Sequence, residues 1–313
     1  GVGINQAYGA DLSFRFYENI NFTNYYAQTH TPNLEGSNAS YQSKFDYTGD
    51  RYGVEAEHLT VDKNFNPEIG FLRRDNFRRN FAKFRFSPRP RSIPWLRRMI
   101  YQGTFKYITN MAGDLETRES KLRLEMELEN SDKWFVEYTD AFEGLQKEFK
   151  LTSDVILPVG SYNFDHIRTE YDFGSQRRVS GRLFLSRGTF YNGTRNDVGY
   201  QGRAVITPQF SIEPRISISD VDVTQGSFVT TLVGARTSFT VSPRMFFAAL
   251  LQFNSKSESL DTNIRFRWEY QPGSDLFIVY SDGRDTGLEG YSRWKTKLQN
   301  RSFVIKFTRL LRF

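Results

Sequence analysis

The chain has 313 residues, no Cys, only three His and a formal charge of +6, which excludes disulfides, thiolate metal centres and a His-rich metal site. A mean hydropathy of −0.57, with no apolar run near the ~20 residues a membrane helix needs, excludes a helical membrane protein. Basic, aromatic-rich chains can bind nucleic acid, but here Lys and Arg are spread along the chain among 36 acids, and no nucleic-acid partner is expected.

A first strand ends near Phe16 and turns at Glu18-Asn19, and a further turn falls at Thr48-Gly49-Asp50. A longer link spans about 62–75 and leads into a basic-aromatic stretch, with Arg73, Arg74, Arg78 and Arg79 among Phe71, Phe77 and Phe81. Trp95, with Pro88, Pro90 and Pro94, marks a rigid turn. Over 121–129, Leu122, Leu124, Met126 and Leu128 face one way, and Lys121, Arg123, Glu125, Glu127 and Glu129 the other. A turn at Asn130-Ser131-Asp132, a long link at 143–161 and a turn at 174–177 follow. Over 178–186, Val179, Gly181, Leu183 and Leu185 oppose Arg178, Ser180, Arg182 and Ser186.

A link is expected at 188–197 and a turn at Thr207-Pro208-Gln209. Over 210–218, Phe210, Ile212, Pro214, Ile216 and Ile218 oppose Ser211, Glu213, Arg215 and Ser217. Beyond the turn at Ser242-Pro243-Arg244, Ile264, Phe266, Trp268 and Tyr270 oppose Asn263, Arg265, Arg267 and Glu269. A turn over 271–275, a strand over 276–284 and a link over 284–296 lead to the last strand, where Phe303, Ile305 and Phe307 alternate with Val304, Lys306 and Thr308 and the chain stops on Phe313.

A two-residue period with charge on every second position excludes helix and excludes a strand buried on both faces. Short and long links alternate, and an apolar strand face ends on a C-terminal aromatic. These features predict an all-β transmembrane antiparallel barrel of roughly 16–18 strands, each of ~9–13 residues, with short periplasmic turns and longer extracellular loops. A soluble sandwich or propeller would also give short, evenly spaced strands, but would leave large apolar patches in water. No composition break divides the chain, so 1–313 reads as one barrel domain. Counting back from a periplasmic C-terminus places the start of the strand ending near Phe16 on the extracellular rim. Single-chain barrels normally have even strand numbers with both ends periplasmic, so strands preceding Gly1 and a larger barrel are expected.

Four stretches carry a resemblance: YGADLSFRF (8–16), FNPEIGFLRR (65–74), PGSDLFIVYSDGRD (272–285) and NRSFVIKFTRLLRF (300–313). Through them the chain resembles an uncharacterised family of Gram-negative outer-membrane barrels, in which the barrel follows a domain similar to family-9 carbohydrate-binding modules. The resemblance implies a location in the bacterial outer membrane and a link to glycans, and it supplies no catalytic residues. The carbohydrate-binding domain lies outside this sequence.

The lumen-facing candidates are Arg123, Glu125, Glu127, Arg182, Arg215, Arg265 and Arg267. The lipid-facing set is Leu122, Leu124, Met126, Leu183, Ile264, Phe266, Trp268, Phe303, Ile305 and Phe307, with Phe313 as the assembly signal. Glu125, Glu127 and Glu129 stand ~7 Å apart on one strand face, a spacing open to an inverting glycosidase pair (~6.5–9.5 Å). A ladder paired with Arg from neighbouring strands is the expected use. His58 and His166 lie near Ser and Asp in strands, outside any nucleophile motif. Arg73, Arg74, Arg78 and Arg79 suit either lipopolysaccharide phosphates or the lumen. Asp220/Asp222 and Asp282/Asp285 are too sparse for a calcium loop. The expected function is a non-enzymatic pore or glycan-related uptake or anchoring component, without cofactor or metal. Its partners are outer-membrane lipids, lipopolysaccharide, the barrel assembly machinery, and a carbohydrate ligand or partner outer-membrane complex. A barrel that docks a partner protein and an outer-membrane hydrolase of glycans or lipids are the alternatives.

Overall fold

The computed structural model describes residues 3–68, 70–287 and 296–311. These residues are all-β, without helix, and their main element is one antiparallel sheet of 17 strands, a count inside the range expected from the links. The chain divides into two compact units.

The first unit contains β1 (Gln6–Phe16), β2 (Ile20–His30), β3 (Ala39–Thr48), β4 (Tyr52–Val61), β5 (Phe77–Phe86), β6 (Leu96–Asn110) and β7 (Leu115–Leu128). It also holds most of β8 (Lys133–Leu145), the small hairpin β9 (Phe149–Lys150) with β10 (Ile156–Leu157), and the first part of β11 (Gly160–Phe173). From β1 to β7 each strand is registered to the next. One row therefore runs Phe14, Phe22, Phe45, Ala56, Ala82, Phe105 and Ser120 across all seven. Because strand side chains alternate between faces, the whole row lies on one face. Tyr52, Phe86 and Tyr101 form a second row on it, with ring centroids 5.3 and 6.1 Å apart.

Buried apolar side chains of this unit lie at the ends of strands, at Val61, Phe77 and Leu96, within β8, at Phe135 and Ala141, and in the links. Val155 and Leu157 are buried in the hairpin, and Tyr191 packs against Phe149, Tyr162, Phe164 and Phe190. The Tyr191 hydroxyl donates to Glu143 Oε2 at 2.6 Å, and burial followed by that carboxylate pushes the phenol up. Asp50, in the turn between β3 and β4, binds Arg89, in the link between β5 and β6, through both guanidinium nitrogens. That hydrogen bonding lowers the Asp50 carboxyl.

The second unit holds the end of β11, most of β12 (Val179–Phe190) and β13 (Gly193–Thr207), then β14 (Phe210–Val223), β15 (Gly226–Ser242), β16 (Met245–Asn254), β17 (Ser259–Gln271), β18 (Ser274–Asp285) and β19 (Lys297–Phe307). From β13 to β19 each strand is registered to the next, with shifts near strand ends at Val205/Thr207, Thr240/Ser242, Glu269/Gln271 and Gly283/Arg284. Phe210, Phe239, Phe247, Phe266, Ile278 and Ile305 form one cross-strand row, in which Phe247 and Phe266 lie 4.6 Å apart. β1 is registered to β2 and β19 to β18, and every residue of β1 and β19 is exposed.

Two expectations change. The link expected at 188–197 is a turn of Tyr191 and Asn192 alone, with strand on both sides. Its glycines serve the strands. A Cβ on Gly188 would meet the Asp165 carbonyl oxygen at 2.1 Å, so Gly188 permits a close backbone approach, and Tyr191 itself takes the positive φ of 52°. Several strands also run longer than expected, up to 17 residues in β15. The turn between β14 and β15 is only 224–225, so pairing continues to its tip at Val223 and Gly226. Phe313 lies outside the described residues, as does much of the link over 284–296.

Candidate functional site

The face opposite the aromatic rows is charged. In the first unit, Glu55 of β4 accepts from Lys44 of β3 at 2.7 Å and from Lys83 of β5. Glu57 takes Arg79, with Nε at 3.0 Å. Glu119 of β7 lies between Lys106 at 2.9 Å and Lys121 at 3.4 Å. The registers set Glu55 directly against Lys83 and Lys106 against Glu119, while Lys44–Glu55 and Arg79–Glu57 are diagonal pairs. The result is a ladder of ion pairs across neighbouring strands.

The sequence candidates on β7 belong to this ladder. Arg98 grips Glu127 with Nε at 3.0 Å and Nη2 at 2.9 Å. Arg123 donates to Glu125 at 2.6 Å, comes within 3.7 Å of Glu137 and lies over the Phe135 ring. Glu129, exposed, reaches Arg97 at 3.6 Å. Each of the three carboxylates considered for glycosidase chemistry is thus paired with an arginine. The ring nitrogens of His58 lie 2.8 Å from Asn80 Oδ1 and 3.1 Å from Thr60 Oγ1, an arrangement without the hydroxyl–imidazole–carboxylate order of a nucleophile site. Arg74 meets Glu116 and lies 5.5 Å from the Phe77 ring centroid.

The second unit presents a different surface. Arg182 of β12, Arg203 of β13, Arg215 of β14 and Arg236 of β15 line a recess of about 640 Å³, together with Glu213 and Asp172. The register sets Glu213 opposite Arg236, and Arg203 Nε lies 4.0 Å from Glu213 on its other side. Arg182 lies 3.8 Å from Glu170. Among the described residues no acid lies within ion-pair distance of Arg215 or Arg236. The recess is floored by glycine. A Cβ on Gly181 would fall 2.3 Å from Gly202 Cα, and Gly234 stands between Arg215 and Gln252 in the register. Arg267 is held by Asp275 at 3.0 Å, and Arg265 donates to Asn263 Oδ1 at 2.8 Å.

The residues expected to meet lipid fall on the aromatic faces. Leu122, Leu124 and Met126 share a face of β7 with Ser120 of the first row. Ile264, Phe266, Trp268, Phe303, Ile305 and Phe307 share rows on β17 and β19, and Phe303 and Phe307 are 63% and 65% exposed. Leu183 is exposed on β12. Sequence reasoning named Arg123 and expected arginines from neighbouring strands beside the β7 acids, but it missed Arg203, Arg236 and the identity of Arg98 as the partner of Glu127. Single-strand alternation shows which residues share a face, but only the register shows that Glu213 stands between Arg203 and Arg236.

Protein-family models and curated proteins were both searched, and neither search gives a match to the chain.

Proposed function

We propose that the protein is a transmembrane antiparallel β-barrel of the bacterial outer membrane, non-enzymatic, whose charged face lines an aqueous pore. The single observation that carries this reading is the division of each unit's strands into an exposed aromatic-aliphatic face and a charged, hydrogen-bonded one. Large apolar side chains exposed in contiguous rows are unfavourable in water and favourable against lipid, where only closed barrels and helices satisfy the backbone. The row of Tyr52, Phe86 and Tyr101 resembles a segment of an interfacial aromatic girdle. The resemblance to barrels that follow carbohydrate-binding-like domains adds a glycan-related cargo to the proposal.

The test is purification from membranes followed by gel migration with and without heating and by planar-bilayer recording. Detergent-dependent solubility, heat-modifiable migration and discrete conductance steps are expected. A stable, monodisperse, detergent-free monomer refutes the barrel. A folded, heat-modifiable protein without conductance leaves a barrel that anchors a partner and refutes the pore.

A further inference from the structure

We propose that the glycine-floored recess of the second unit is a binding site for a hydroxyl-rich ligand of about disaccharide size carrying two anionic groups. Its place in a transport path rests on the pore reading, but the binding chemistry does not.

The contrast between the two charged surfaces carries the inference. In the first unit, Glu55 and Glu119 each bind two lysines, and Arg79 and Arg98 each hold a glutamate. Each of these bases lies within ion-pair distance of an acid. In the recess, Arg203 has Glu213 and Arg182 has Glu170, but Arg215 and Arg236 have no acid within ion-pair distance among the described residues. Glu213 stands between Arg203 and Arg236 in the sheet but comes within 4.0 Å of Arg203 alone, while Arg215 stands two residues along its own strand.

The positions of these arginines fit two anionic groups better than one. Arg203 and Arg236 are each displaced diagonally from Arg215, a separation of ~7–8 Å between neighbouring strands. A guanidinium offers two parallel N–H groups to a sulfate, phosphate or carboxylate. Two such groups held on one sugar framework match this spacing, whereas a lone inorganic anion engages one fork. Ser180, Gln201 and Gln252 also line the recess and supply hydroxyl and amide groups for ligand hydroxyls. The cavity of about 640 Å³ lies within the ~300–1,000 Å³ usual for small-ligand sites. Gly181, Gly202 and Gly234 line the recess as well.

The experiment is calorimetric titration of the purified protein in detergent with a disulfated disaccharide, its unsulfated counterpart and inorganic sulfate. Saturable binding of the disulfated sugar alone is expected, weakened about tenfold by R215Q and further by R215Q/R236Q. Each variant is first shown to keep the wild-type gel migration, so that lost binding is not lost folding. Equal binding of the unsulfated sugar, inorganic sulfate binding as tightly as the disulfated sugar, or an unaffected double variant would each overturn the proposal. Failure of the membrane tests above would remove the pore while leaving this titration to stand alone.

Discussion

Arg123 lies over the ring of Phe135, its guanidinium carbon 3.6 Å from the ring centroid, while the same guanidinium binds Glu125 and approaches Glu137. The cation thus joins β7 to β8 in two ways, by charge and by its flat face. Arginine suits this place because a planar guanidinium can stack and donate at once.

Replacing Arg123 with Ala removes the stacking and leaves two carboxylates short of a partner. Partly exposed ion pairs contribute little, ~0–1 kcal/mol, and a cation over a ring adds ~0.5–2 kcal/mol. A loss of ~1–2 kcal/mol in urea unfolding is expected for R123A, with R123K losing less because the charge remains. Identical unfolding of R123A and wild type would mean that the stacked arrangement contributes nothing.

Asp132 supports a pH prediction. It is buried in the turn between β7 and β8, and its carboxylate accepts from the Tyr171 hydroxyl at 2.7 Å, the Gly174 amide at 2.7 Å and Arg177 at 2.8 Å. Burial alone would raise its pKa, but the Gly174 amide, Tyr171 and Arg177 together outweigh burial and leave it lowered. A carboxyl whose folded pKa is depressed binds fewer protons in the folded state. Its stabilisation is therefore complete above the ordinary carboxyl pKa and is lost as pH falls through the lower folded value. D132N is expected to cost ~1–3 kcal/mol at pH 7, and the gap from wild type should narrow as pH drops below the carboxylate range. A gap independent of pH in acid unfolding curves would show that the charge of Asp132 is not what stabilises the turn.

Much of this fold was legible because a strand writes its two faces into alternate residues. Leu122 to Leu128 and Ile264 to Tyr270 could be assigned to faces without any partner strand. What could not be read is whatever depends on pairing. The residues at 188–197 looked like a loop because Gly188, Asn192 and Gly193 are common in loops, yet Gly188 is a strand residue required by a neighbour's backbone. The Glu125 and Glu127 row suggested paired carboxylates. Arg123, two residues along the same strand, holds Glu125, and the register supplied Arg98 for Glu127. The recess depends on four strands meeting at three glycines, a relationship absent from any one segment.

Ile278 and Val279 allow the face assignment itself to be tested, since they are consecutive, both β-branched and both half-buried on β18. Ile278 lies in the row with Phe266 and Ile305, whereas Val279 stands between Arg265 and Val304 on the charged face. If the first row meets lipid, Arg at 278 places a charge against hydrocarbon, at ~2–4 kcal/mol near the midplane. Arg at 279 enters the polar side, where a like charge directly opposite costs ~0.2–1 kcal/mol, here from Arg265. Urea-dependent refolding into lipid bilayers should therefore show I278R destabilised by ~2–4 kcal/mol and V279R by under ~1 kcal/mol. Soluble burial would give the two substitutions similar penalties, because the residues are alike in shape and exposure. A V279R protein that folds less well than I278R would reverse the faces, placing the arginines toward lipid and the aromatic rows toward the lumen.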